Sequence, residues 1–462
     1  MIIPTAISTL KTNLNASAMI ILFSFTLALV TACGGAAPNQ TESSADRNKG
    51  SATSVIESEA KEVIVVETVE VEKAVAVEKE VEAEKWVESS SAGGPVEPKV
   101  TRAQQDSPLK AGEVDDNAAW DDYLAYRLNY QGPIVHDRDV SERYIVKVED
   151  GQGHPVLDAQ VRFFLDDEEV YRAHTTANGQ TLFQPRSLDI ATDQGDEFLV
   201  VVKKEEAISK FSLPRLHSRQ GNGVDFWTTT LDLNQQVDSV NLDLLFLVDA
   251  TGSMDDEIRA IQTTIFDVAG RIDQLPERPN VRYGLVSYRD RGDEFVSRSY
   301  QFVDHVAGFS DNLSTLEAQG GGDYPESLNQ GLHEALYNVE WRGQDTVRLI
   351  FLIADAPPHL DYAQDYDYAI EMETAARSAI KIYPIASSGL DDQGEYIFRQ
   401  LAQFTQGRFI FLTYDGPSNG GQPGEVTTHH VDNYSVDHLD DLLVKLVTEE
   451  LAYQNPLLAR MQ

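Results

Sequence analysis

The chain has 462 residues and a formal net charge of −38, from 75 acidic against 37 basic side chains. That balance argues against nucleic acid as a partner and against adsorption to anionic lipid headgroups, since both recruit an excess of Lys and Arg. The 42% hydrophobic content and the length allow two or three domains with real cores, and a single cysteine, Cys33, rules out an internal disulfide.

The first element is a leader. Lys11 gives a weakly basic start, and residues 18–29 form an apolar run too short for a good spanning helix. Val30-Thr31-Ala32-Cys33-Gly34 then puts small residues before the cysteine. This stretch resembles a bacterial lipobox. The resemblance implies removal of residues 1–32 as a signal peptide and lipidation of Cys33, which anchors the protein to a membrane of the bacterial cell envelope, facing outside the cytoplasm. An ordinary signal peptide with an unpaired cysteine is the alternative. Within residues 33–117, the stretch 57–88 alternates Val with Glu and Lys, as in Val69-Glu70-Val71-Glu72-Lys73, between Ser-, Gly- and Pro-containing flanks. Such low-complexity sequence is expected to be a disordered tether.

Residues 118–236 read as an all-β domain. Tyr144 to Glu149 alternates, a turn follows from Asp150 to Pro155, and alternation resumes partly over 159–165. Thr175 to Gln180 is a second turn whose Asn178-Gly179 signals a hairpin. Residues 198–202 and 226–233 add strands. Asp150-Gly151-Gln152-Gly153-His154-Pro155-Val156, with Ala159, Val161 and then Thr176 to Gly179, resembles the small immunoglobulin-like β-sandwiches of carboxypeptidase regulatory regions and bacterial surface proteins. Its expected role is a spacer or scaffold.

Residues 237–455 alternate strands with helices, the pattern of a doubly wound, mostly parallel α/β sheet of Rossmann-like layout; 456–462 form a tail. Leu244 to Val248 is a continuous apolar run, as in a strand buried on both faces, and it leads into Asp249-Ala250-Thr251-Gly252-Ser253. Ile258, Ile261, Ile265, Val268, Ile272 and Leu275 then repeat at helical spacing. A strand over 281–288 ends in Tyr288-Arg289-Asp290-Arg291-Gly292-Asp293. Gly320-Gly321-Gly322-Asp323-Tyr324-Pro325-Glu326 is a glycine loop before a helix marked by Leu328, Leu332, Leu336 and Val339. The run 347–354 ends in Asp355, followed by Pro357-Pro358-His359. Strands are expected over 379–386 and 408–413, and helices over 396–404 and 438–451.

The three motifs in that order resemble the von Willebrand factor type A (VWA) domain and its metal-ion-dependent adhesion site (MIDAS), over about residues 237–453. The resemblance implies a divalent cation held by Asp249, Thr251, Ser253 and Asp355 where two strands end. Oxygen ligands suit Mg2+, Ca2+ or Mn2+. Where the family most often has a loop Thr, this chain offers Asp323. If it ligates, a third carboxylate holds the ion more tightly, favours Ca2+ and weakens attraction to an acidic partner. Asp255, Asp256 and Glu257 are read as complementing the helix dipole. Tyr288, Asp290, Asp293, Tyr324 and His359 are expected on the rim where a partner would dock.

The resemblance implies a lipid-anchored binding protein that recognises a protein partner through the cation, with an acidic side chain of the partner completing the metal site. The alternatives are a structural or assembly protein whose metal braces the fold, and a metal-dependent hydrolase. No phosphate loop, Gly-x-Ser-x-Gly elbow or His-Glu-x-x-His occurs, so no enzyme activity is expected.

Overall fold

The computed structural model describes residues 108–458 except 192, 217–225, 235–238, 277–278, 416–422 and 456. The leader, Cys33 and nearly all of the expected tether lie outside the described residues. Among those described, no helix is long and apolar enough to cross a membrane.

The folded region begins before the expected boundary at 118. Strand β1 (Lys110–Val114) carries a fully buried Ala111 and belongs to the α/β sheet. Its five residues have the same mixed charge as the segment before them, so composition hid them. Helix α1 (Trp120–Asn129) follows, in a stretch expected to be all-β. Its buried Trp120 and Tyr123 are three residues apart, on one helix face. The helix packs on the α/β domain: Arg399 lies 3.8 Å from the ring centroid of Tyr126 and pairs with buried Asp116 at 2.6 Å.

Among the described residues the β region has seven strands: β2 (Tyr144–Glu149), β3 (Gln160–Leu165), β4 (Glu168–His174), β5 (Gln180–Phe183), β6 (Glu197–Lys204), β7 (Ala207–Pro214) and β8 (Phe226–Thr230). They form a three-stranded sheet, β5-β2-β8, and a four-stranded sheet, β4-β3-β6-β7. Inward residues of both sheets, among them Tyr144, Val146, Phe163, Phe183, Phe198 and Val200, share one apolar cluster. The expected Asn178-Gly179 hairpin is not one. β4 pairs with β3 while β5 pairs with β2, so this turn carries the chain between sheets. A tight hairpin lies at Asp166-Asp167, whose φ values of +49° and +68° match a turn with two left-handed central residues, and another joins β6 to β7 at Glu205-Glu206.

The α/β domain comprises β9 (Asn241–Asp249), α2 (Ile258–Asp273), β10 (Asn280–Tyr288), β11 (Ser297–Val303), α3 (Val306–Leu313), α4 (Leu328–Tyr337), β12 (Thr346–Ala354), α5 (Tyr368–Arg377), β13 (Ile380–Ala386), α6 (Asp392–Phe404), β14 (Phe409–Leu412), β15 (Val436–His438) and α7 (Leu439–Ala452). The strand order is β11-β10-β9-β12-β13-β14-β1-β15, parallel from β10 to β14 and antiparallel at both margins. The central strand alternates between two cores. Leu244, Phe246 and Val248 face α2, α3 and α7, while Leu245 and Leu247 face α4, α5 and α6. Every apolar position marked on α2 is buried, with Leu275 partly buried just beyond its end.

The β region docks at the start of β12. Arg348 forms two hydrogen bonds to the Asp158 carboxylate, at 2.9 and 3.0 Å, and the Thr346 amide donates to it at 3.2 Å. Both side chains of the pair are almost wholly buried. Asp355 follows the far end of the same strand. At the usual rise per residue this places the docking contact about 25 Å from the carboxyl ends of the strands. The rim above those ends stays clear of the β region's anchor.

Candidate metal centre

The chain leaves β9 and passes to β10 on one side, then reaches β12 on the other. The order therefore reverses beside β9, and ligands of open α/β sheets bind at the carboxyl ends of strands at such a point. Asp249 ends β9 and Asp355 directly follows β12.

The Asp-x-Thr-Gly-Ser turn organises itself around Asp249. Its Oδ1 accepts from the Thr251 amide at 2.8 Å and from Thr251 Oγ1 at 2.7 Å, and Thr251 Oγ1 lies 3.1 Å from Ser253 Oγ. Asp249 and Thr251 are fully buried, whereas Ser253 is exposed. The centre thus has one side open to solvent. Asp249 Oδ2 and Asp355 Oδ1 are buried with no hydrogen-bond partner.

The glycine loop closes over this turn. The Gly252 amide donates to the Gly320 carbonyl at 3.0 Å, and the Gln319 amide to the Ala250 carbonyl at 3.0 Å. Gly320 and Gly321 have φ of +76° and +66°. A Cβ on Gly320 would lie 2.3 Å from the Asp293 carboxylate; one on Gly321 would lie 2.6 Å from Glu326 Oε1 and 2.9 Å from Thr251 Cβ. Only glycine allows this backbone so near two carboxylates.

Those contacts identify a residue that the sequence reading missed. Glu326 is buried, its Oε2 has no hydrogen-bond partner, and it adjoins Thr251. Burial first, and then the charges of Asp249, Asp290 and Asp355, push its carboxyl up to about 9. Burial and neighbouring Asp355 raise Asp249 to about 7, against the hydrogen bonds from Thr251. Burial raises Asp355 to about 6, opposed by Ser253 and reinforced by Glu257. Three carboxylates are thus buried with their charges near enough for Asp249 and Asp355 to disfavour ionisation of Glu326, and Asp355 that of Asp249. A bound cation relieves that arrangement, and the all-oxygen donor set of Asp249, Asp355, Thr251 and Ser253, with Glu326 beside it, fits a hard divalent ion.

Asp323 is placed elsewhere. It is exposed, and one of its oxygens lies within 4.8 Å of ligand atoms of Asp290 and His359. Of the five expected rim residues, only Tyr324 is well exposed; its hydroxyl accepts from the Asp391 amide at 3.1 Å. Tyr288 is fully buried beneath the site, paired in register with Asp249, because β10 continues to its last residue under α4. Asp290 and His359 are buried as well. Asp293 is half-buried, and its Oδ2 accepts from the Asp290 and Gly321 amides at 3.1 and 2.9 Å, which ties two loops together. Glu257 is the residue just before α2; its side chain makes no capping hydrogen bond, and its Oε1 accepts from the hydroxyls of Tyr414 and Ser388 at 2.5 and 2.8 Å.

Parts of the chain are similar to known proteins. An alpha-protein kinase vwkA of Dictyostelium discoideum is 33% identical over 120 residues, which are 26% of this chain and 19% of that protein. A putative ariadne-like RING finger protein, R811, of Acanthamoeba polyphaga mimivirus is 25% identical over 187 residues, 37% of this chain and 18% of its own length. The chain thus spans about a fifth of the length of these curated relatives. Among solved structures, proximal thread matrix protein 1 from the mussel byssus, including a form with a zinc-occupied MIDAS motif, is similar at 14% identity and a TM-score of 0.28, over 37% of this chain and 45% of the other. Residues 243–414 match the von Willebrand factor A domain family, and this part of the chain is a VWA domain.

Proposed function

We propose that the VWA domain holds a divalent cation through Asp249, Asp355, Thr251 and Ser253, with Glu326 as a third carboxylate, and offers it to a protein partner at the open rim. The observation that carries this reading is the set of buried, unpartnered oxygens on Asp249, Asp355 and Glu326. Buried polar atoms normally find partners, and here a cation supplies one. VWA domains often mediate protein–protein interactions. The ion would act as a Lewis acid that accepts an oxygen ligand from the partner, in the family an acidic side chain. The function is binding rather than catalysis.

In this reading Cys33 carries lipid and the chain stands in the bacterial envelope. The two-sheet β region acts as an immunoglobulin-like spacer gripping the end of the α/β sheet remote from the metal. Its support is the Asp158–Arg348 anchor at the start of β12. The deciding experiment is calorimetric titration of Ca2+, Mg2+ and Mn2+ into chelated protein, beside Asp249→Ala. Saturable binding that the variant loses is the expected result; equal binding by both proteins sinks the proposal.

A further inference from the structure

A second cluster, on the same rim but of different residues, has the features of a metal site of a different class. Asp290, Asp323 and His359 each direct one ligand atom into a space in which all three lie within 4.8 Å of one another. His359 is the decisive member. Its ring is 97% buried, and its Nε2 has no hydrogen-bond partner. That nitrogen lies 3.7 Å from Asp290 Oδ1, too far for a hydrogen bond. On the other side of the ring, Nδ1 lies 2.7 Å from Asp361 Oδ1. An Nδ1–H would donate to that carboxylate and leave the Nε2 lone pair facing the cluster. Metal-binding histidines are commonly oriented by a carboxylate in this way.

The rest of the surroundings holds these groups in place. Tyr362 stacks on the imidazole at 3.8 Å between centroids and donates its hydroxyl to Asp290 Oδ2 at 2.9 Å. Ser327 Oγ donates to Asp290 Oδ1 at 2.7 Å. Each Asp290 oxygen keeps a further lone pair. The nearby cation, Arg291, stacks 4.1 Å over Tyr362 and pairs with Asp365 at 2.9 Å, so its charge is already matched. Asp323 is exposed and gives an ion access from solvent.

The geometry points to a second, mixed nitrogen–oxygen metal site formed by Asp290, Asp323 and His359, oriented by Asp361 and selective for a zinc-class ion such as Zn2+ or Co2+. One imidazole and two carboxylates suit such ions better than Mg2+ or Ca2+, and three protein ligands leave a coordination position open. The site shares the rim with the first centre, because the His359 amide donates to the Glu326 carbonyl at 3.1 Å. A partner could therefore meet two different ions on one face.

The test is Co2+ titration of the metal-stripped full chain, with bound metal counted by dialysis and the visible absorption recorded. Wild type is expected to bind two equivalents. His359→Gln and Asp323→Asn should each lose one equivalent and the nitrogen-ligand absorption; Asp323 is exposed, so its variant should fold even if the buried histidine variant does not. Asp249→Asn should lose the other equivalent and keep the absorption. Asp361→Asn should weaken the retained site roughly 10–100-fold. Binding in Asp323→Asn equal to wild type in amount and affinity overturns the proposal. A single equivalent lost in Asp323→Asn but kept in Asp249→Asn supports this site and refutes the first centre; the reverse pattern refutes this one.

Discussion

Glu326→Gln separates a carboxylate that serves a cation from one that merely fills space. The Glu326 carboxyl is pushed from an ordinary 4.5 to about 9. The sign follows from an acid whose folded value is raised. Below pH 4.5 the group is neutral in both states and costs nothing. Above it the unfolded chain ionises while the folded one stays neutral, so stability falls until pH reaches about 9. At pH 7 the difference is about 2.5 pH units, or about 3 kcal/mol. Gly322 and Asp323 beside it are exposed and admit solvent, which reduces the expected effect to about 2 kcal/mol. Gln keeps the shape and removes the acid, so in chelator the variant should be more stable than wild type by about that amount. With metal the order should reverse. An ion at a hundred times its dissociation constant stabilises wild type by about 2.7 kcal/mol, and the variant should lose most of that gain. The assay is thermal and urea unfolding at pH 7, in chelator and in saturating Ca2+. A variant less stable than wild type in chelator, or one with an undiminished response to Ca2+, refutes the reasoning.

Other perturbations test the scaffold. Asp158→Ala removes the carboxylate that matches the buried Arg348 charge and leaves only carbonyl partners on Arg342, Gly343 and Ser378, which should cost about 3 kcal/mol in urea unfolding and separate unfolding of the β region from that of the α/β domain. Gly321→Ala forces a Cβ to within 2.6 Å of Glu326 Oε1 at a φ of +66°, and should lower stability by about 2 kcal/mol and weaken metal binding; Gly322→Ala, with no atom within 4 Å of its Cβ, should do neither. Glu395 is pushed up by burial but held down to about 2 by His429, the His430 amide and Arg399. Its contribution is therefore full above pH 4.5, about 3 kcal/mol, and disappears as pH falls towards 2. Glu395→Gln should accordingly be destabilised at pH 7 and converge with wild type near pH 2 in acid-titrated unfolding.

The parts of this molecule that were legible in sequence share one cause: apolar periodicity reports burial on two faces or one. Leu244 to Val248, residues 347–354 and the isoleucine stripe of α2 all fell where their spacing put them. Buried polar residues leave no such trace. Asp323 and Glu326 are two acids in one short loop, and composition treats them alike. Which one turns inward is decided by the left-handed backbone of Gly320 and Gly321, since those angles bring the chain against Thr251 and seat Glu326 there. The same limit hid Tyr288, a polar-tipped ring read as rim but held at the end of a buried strand. β1 was missed for a further reason. A strand next to the edge strand of a sheet needs only one well-buried face, and Lys110 to Val114 satisfies its backbone by pairing with β14 and β15, nearly three hundred residues or more away. Three consecutive glycines beside an Asp-x-Thr-Gly-Ser turn do signal backbone packed against that turn, and the buried acid of the loop is the one where it enters its helix, Glu326, rather than Asp323 at the exposed apex.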